Sequence, residues 1–217
     1  MKKNALVLLI LIAIGLSGCG RLGIRGNGQI TTDQRTIGEF YEIDVDGAFV
    51  IEWRSGPPML SITTDSNLLS YIESGVSGNR LRLHTREKLW PTRSIKVAVS
   101  SQRLSGADLE GAVRLTAQQI SGPKFYFKSE GASQVTLNGN VDELLVDMTG
   151  ASKLDAQELQ AKTVQLSGTG ASKADVTVSE TLRVSLTGAG KVTYSGKPKT
   201  IERHITGAGW VGPKEKD

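Results

Sequence analysis

The chain has 217 residues, with 26 Lys and Arg against 22 Asp and Glu, two His and one Cys. Net charge is +4 and only 5% of residues are aromatic, so there are neither clustered cations nor stacking platforms to point to nucleic acid. The single Cys rules out an intramolecular disulfide. No metal-ligand cluster has workable spacing, and no cofactor is expected.

The N-terminus reads as a targeting segment. Lys2-Lys3 precede the apolar run Ala5–Leu16, which is too short for a span of about 20 residues. Residues 1–18 are therefore expected to be a signal peptide. Leu16-Ser17-Gly18-Cys19 resembles the lipobox of bacterial lipoproteins, a class in which the chain is cut before the Cys and the thiol is acylated. The resemblance implies lipidation of Cys19, with palmitate among its acyl chains, and hence a membrane partner. One acyl chain anchors marginally and two or more hold firmly. By the same resemblance, Gly20 in place of Asp implies the outer membrane. Loss of residues 1–18 removes Lys2 and Lys3, which takes the net charge from +4 to about +2. Residues 19–35, with Gly20, Gly23, Gly26 and Gly28, are expected to form a flexible tether.

The folded part is expected over 36–212, irregular over 36–106 and regular over 107–212. Tyr41, Ile43 and Val45 alternate with Glu42, Asp44 and Asp46, and Gly47-Ala48, Ile51 and Trp53 follow. Pro57-Pro58 breaks the strand. Leu60–Thr63, Arg80–Thr85 and Ile95–Val99 alternate as strands. Between the first two, Leu68, Leu69 and Ile72 have helical spacing, with Asp65 or Ser66 to cap the start and Gly75 the end. A short helix is predicted over 65–75, closing one end of the fold against edge-to-edge pairing. The stretch between Gly47 and Gly111 is predicted to form about three less regular coils, and residues 213–217 a tail.

From Gly111 onward the chain repeats. Gly-Ala recurs at Gly111, Gly131, Gly150, Gly170, Gly188 and Gly207, a period of 18 to 20 residues. Four and six residues after each Gly stand apolar pairs such as Val135/Leu137 and Leu154/Ala156, and before it sets such as Leu144/Val146/Met148. Period-two alternation means strands with one face buried, and self-similarity at this length means a solenoid. The predicted fold is all-β: a parallel β-helix of roughly 19-residue coils bent at Gly-Ala corners. Ala beside the Gly is expected to leave room where two sheets converge.

Coils stacked about 4.8 Å apart place equivalent residues in columns. Thr149, Thr169, Thr187 and Thr206 precede their Gly and should form a ladder. Its structural reading is cross-strand pairing of β-branched residues, and its alternative is a hydroxyl binding surface. Lys153, Lys173 and Lys191 should stack, with repulsion of about 0.9 kcal/mol per neighbouring pair in water. Asp155 and Asp175, two residues on, face the same way. This row is the candidate ligand face for anionic glycans or lipid A, against a bland reading as a mutually neutralised surface. Carboxylates about 5 Å apart at Asp155 and Asp175 would also match a retaining glycosidase, but an open strand alternating with Lys is a poor place to raise a pKa. No catalytic residue is assigned. His204 falls on an outward position shared with Asp147, Ser167 and Ser185; His84 lies in a distant copy. Arg203 occupies an inward slot, which marks a terminal coil, and Trp210 is expected to cover that end, with an exposed aromatic contact as the alternative.

Several of these segments together resemble one family. Phe40-Tyr41-Glu42-Ile43-Asp44-Val45 before Gly47, Leu60-Ser61-Ile62 followed by Asn67–Ile72, Gly78–Leu83 and the late Gly-Ala-Ser and Gly-Ala-Gly copies look like the head GIN domain family of bacterial envelope proteins, also described as putative autotransporter adhesins. The resemblance spans roughly residues 36–212. It implies a right-handed β-helix-like fold at the cell envelope and brings no catalytic residues. No autotransporter barrel is recognised, so Cys19 would take over anchoring. The expected function is a non-enzymatic, lipid-anchored envelope protein that displays a solenoid to a glycan or protein. The alternatives are a carbohydrate-active β-helix enzyme and a self-associating structural protein.

Overall fold

A computed structural model describes residues 23–214; the predicted signal peptide, Cys19 and residues 215–217 lie outside them. In chain order the strands are β1 (Ile24–Arg25), β2 (Ile30–Arg35), β3 (Glu42–Gly47), β4 (Phe49–Ser55), β5 (Met59–Asp65), β6 (Ile72–Ser77), β7 (Arg80–Thr85), β8 (Leu89–Trp90), β9 (Ile95–Ser101) and β10 (Gly106–Gly111). The repeats supply β11 (Arg114–Gly131), β12 (Gln134–Gly150), β13 (Lys153–Gly170), β14 (Lys173–Gly188), β15 (Lys191–Ser195), β16 (Thr200–Gly207) and β17 (Trp210–Pro213). They build a β-solenoid of about five turns with coils of about 20 residues.

The Gly-Ala period is the stacking period. Gly47, Gly111, Gly131, Gly150, Gly170, Gly188 and Gly207 lie side by side in parallel register. From Gly111 to Gly188 each corner Gly is followed by an Ala whose N–H donates to the Gly carbonyl one coil below, as in Ala151 to Gly131 (2.8 Å) and Ala171 to Gly150 (2.9 Å). Gly150 has φ +108°, and a Cβ there would lie 2.4 Å from the Gly131 carbonyl oxygen. Close approach and left-handed geometry together exclude a side chain. The Ala residues lie outside the bend and are exposed. The space inside it is filled instead by the next residue, buried as Val113, Ser133, Ser152 and Ser172.

Each coil has two main faces, one before its corner and one after, and the long strands β11 to β14 wrap from the second face round to the first. The predicted inward positions form the core: Leu115, Ala117, Val135, Leu137, Leu154, Ala156, Ala174, Val176 and Val192 are at most 2% exposed. The aromatic core side chains sit in the earlier coils, at Phe40, Phe49, Trp53, Phe125 and Phe127.

The N-terminal half corrects three expectations. First, the stretch between Gly47 and Gly111 is not three successive coils, because β3 pairs directly with β10 and β4 with β11. The intervening chain descends to the end of the stack, lays β7 beside β3 and β9 beside β4, and then returns. Second, the predicted helix is absent. Residues Leu69–Tyr71 make one 3-10 turn, and Ile72–Ser77 become a strand antiparallel to β7. The helical spacing of Leu68 and Ile72 is used to bury both, while pairing through the Gly78 turn (φ +60°) overrides local propensity. Third, part of the expected tether is built into the fold: β1 pairs with β8, and β2 pairs antiparallel with β5. Antiparallel strands β6 and β2 thus close this end on both faces.

A buried carboxylate fastens that closure. Asp65 is fully shielded from solvent and accepts hydrogen bonds from the Gly28 amide (2.6 Å), the Thr92 amide (2.9 Å) and the Thr92 hydroxyl (2.8 Å). Burial pushes its pKa up, but these donors outweigh it, and the group lies below the usual carboxylate value. Arg35 completes the cap by donating to the Ile72 and Leu69 carbonyls at 2.8 and 3.1 Å.

Two outcomes follow. Gly150→Ala is expected to destabilise the fold by about 1–3 kcal/mol through backbone strain, whereas Ala151→Ser, at an exposed site, should change stability by less than about 0.5 kcal/mol; urea midpoints measure both. Because the folded-state pKa of Asp65 is depressed, its stabilisation is present above the unfolded-state value and lost as pH falls through the folded value. The gap in urea midpoint between wild type and Asp65→Asn should therefore be wide at pH 7 and narrow in acid. A gap independent of pH would contradict the role given to this carboxylate.

Candidate functional site

The predicted cationic row forms. On the second face, Arg114, Gln134, Lys153, Lys173, Lys191 and Trp210 follow one another in register, one per coil. Below Arg114 the column continues through Val50 to Lys96. Thr136, Asp155, Asp175 and Thr193 form the neighbouring column. Mutual neutralisation is only partial. Lys173 lies 3.8 Å from Asp175, while Asp155 receives contacts from its own strand, with the Gln157 side chain at 3.3 Å. Among the described residues Lys153 and Lys191 make no ion pair with a carboxylate. Lys191 instead sits 5.1 Å from the centre of the Trp210 ring, a cation–π contact.

Beside this row, along the outer edge of the Gly-Ala corners, runs a groove of about 640 Å³. Its floor is the stacked small residues Ala48, Ala112, Ala132 and Ala151, and its charged lining is Arg93, Arg114 and Lys153. No Asp or Glu lines it. The corner geometry produces the groove directly, since exposed Ala methyls leave a trough between the longer side chains of the flanking columns. Lys153 was legible in the sequence as part of the row. Arg114 stands at the same offset from its Gly and was legible in principle by extending that column two coils before Lys153, past Gln134. Arg93 comes from the irregular half, and only the out-of-order return of the chain brings it here.

Most other predicted features occupy the places expected of them, with less chemistry; Trp210 does not. Thr149, Thr169, Thr187 and Thr206 stack in register and are exposed, with no hydrogen bond between their hydroxyls. Asp147, Ser167, Ser185 and His204 share a column on the first face. His84 lies far from His204 and sits 3.0 Å from Glu73. Among the described residues no group of three or more His, Cys, Asp or Glu is placed to hold a metal ion. Trp210 does not cover the C-terminal end: it stacks on Lys191 on the outside of the second face and is 45% exposed. Arg203 does occupy an inward register, above Val184, and donates to the Val211 carbonyl at 3.1 Å.

Several solved structures share this architecture. A crystal structure of a putative adhesin from Bacteroides fragilis NCTC 9343 is 20% identical, with a TM-score of 0.73 over 88% of this chain and 100% of that one. A putative adhesin from Parabacteroides distasonis ATCC 8503 is 19% identical, with a TM-score of 0.56 over 88% and 99% of the two chains. A putative lipid binding protein from the same organism is 20% identical, with a TM-score of 0.50 over 88% and 99%. At such identities the likeness shows the fold. No curated protein matches the chain. The family model described as putative auto-transporter adhesin, head GIN domain, matches residues 39–198. A solenoid stacked on its Gly-Ala corners thus comes with a sequence match over most of its length, and the chain belongs to the head GIN domain family of putative auto-transporter adhesins.

Proposed function

We propose that this protein is a non-enzymatic adhesion module, anchored at the bacterial envelope through a lipidated Cys19, that binds an extended anionic glycan along its corner groove. The observation that carries this reading is the lining of that groove: three cations, no carboxylate and a floor of methyl groups. Arg114 and Lys153 are two coil steps apart, about 10 Å, so they engage charges spaced along a chain better than a compact ion. Lys173, Lys191 and the Trp210 ring prolong the same line, with the indole offering an apolar surface to a sugar ring. The enzymatic alternative needs an acid and a nucleophile in a cleft, whereas Asp155 and Asp175 are half-buried members of one strand column, with Lys173 3.8 Å from Asp175. Support for the anchor comes from the Leu16–Cys19 segment and its likeness to a lipobox.

Binding of the chain from residue 20 onward, which contains every described residue, to an immobilised uronic-acid polysaccharide is expected to weaken with salt. Arg114→Glu with Lys153→Glu should lower affinity at least about tenfold without changing the thermal midpoint. Equal binding to a neutral polysaccharide of the same length, or an unaffected double variant, would refute the site. In cells, a palmitate analogue should label the wild-type chain, while Cys19→Ala should lose the label and leave the membrane fraction.

A further inference from the structure

The two ends of the solenoid differ. The N-terminal end changes strand polarity and is closed on both faces by antiparallel strands. The C-terminal end stays parallel to its last coil. Among the described strands β16 pairs only with β14, and β17 only with β15. Every residue of β16 is exposed, including those that continue the core columns. Ile201 and Ile205 are each 38% exposed, whereas Leu182 and Leu186 directly beneath them are 0% and 1% exposed. An eight-residue edge strand with open backbone groups and core-register isoleucines is a template for pairing.

Self-complementarity indicates what pairs there. The strand reads Thr200-Ile201-Glu202-Arg203-His204-Ile205-Thr206. Antiparallel pairing of two copies about a two-fold axis at Arg203 puts Thr opposite Thr, Ile201 opposite Ile205 and Glu202 opposite His204, each twice. In antiparallel pairs opposite residues share a face, so the isoleucines of both copies continue the core and the charged pairs continue the outer face. Alternation alone would match apolar with apolar; the Glu202–His204 pairing is the part specific to this strand. Arg203, the one residue that meets itself, is drawn aside by its hydrogen bond to the Val211 carbonyl. We propose that the C-terminal edge strand β16 is an isologous dimer interface, joining two solenoids end to end through antiparallel β16–β16 pairing centred on Arg203. A two-fold contact of this kind closes on itself and yields dimers rather than filaments.

The test uses the chain from residue 19 with Cys19→Ser, which retains every described residue. Sedimentation should give a concentration-dependent species of two chains and nothing larger. Ile205→Glu should raise the dissociation constant at least about tenfold, with circular dichroism reporting a retained β-fold. His204→Glu sets Glu opposite Glu and should weaken the dimer. The swap of Glu202→His with His204→Glu restores every opposite pair and should recover it. Arg203→Cys, whose two copies meet on the axis within disulfide reach, should oxidise to a covalent dimer, whereas Ser185→Cys on the adjacent inner strand should not. A monomer at all concentrations, open-ended polymers, a dimer indifferent to Ile205→Glu, or a swap that fails to rescue would each overturn the proposal. These readouts contain no glycan, so their failure leaves the groove reading untouched, and the reverse holds as well.

Discussion

The structure depends on one constraint: each coil must lie in register on the one below, so that the Gly carbonyl of one corner receives the Ala amide of the next. The bend brings two backbones so close that a Cβ at the corner would overlap the neighbouring carbonyl oxygen. Glycine is therefore the only residue that lets the ladder continue round the corner. Once register is fixed there, each position in the repeat inherits a column, and through the regular coils a column keeps one side, core or surface. Buried columns carry Leu, Val and Ala and give the core; exposed ones carry Thr, Lys or Asp and give the faces. Binding surfaces on such a protein are linear because its construction is linear.

Much of this was legible in the sequence, and the reason is the repeat. Lys153, Lys173 and Lys191 stand at one offset from their glycines, and the structure stacks them in one column. The alternation of Leu144, Val146 and Met148 gives the inward face for the same reason. What could not be read is whatever depends on pairing between segments distant in sequence. Leu68, Leu69 and Ile72 have the spacing of a helix, yet the edge offered by Arg80–Thr85 draws the chain into an antiparallel strand. Glycines at positions 23, 26 and 28 look like a linker. Gly26 in fact presses so closely on Asp65 that a Cβ would overlap its carboxylate, and Gly28 donates to that same carboxylate. The lone carboxylate that ties the segment down leaves no periodic trace.

The site divides along the same line. Its row was visible because it repeats; its groove was not, because the groove is the negative of the corner. Exposed Ala residues look inert in a sequence, and only their stacking turns them into a trough. Arg93 reaches that trough because the chain visits the N-terminal coils out of order, descending past Gly47 and climbing back before Gly111. The same excursion supplies the antiparallel cap, so the closed end and one wall of the groove have a common origin. At the opposite end no such excursion follows β16 among the described residues, and core-register side chains stay uncovered.

In-register stacking is tested most directly by paired cysteines within one column of the Cys19→Ser chain. Thr169 and Thr187 are direct neighbours in the parallel ladder, about 4.8 Å apart and within the range a disulfide spans. With both replaced by Cys, mild oxidation should form an intrachain bond rapidly, while the out-of-register pair Thr169→Cys with Arg183→Cys should stay reduced. Equal oxidation of the two pairs, or failure of the in-register pair to close in a folded chain, would contradict the stacked columns from which the groove, the cation row and the open end are all built.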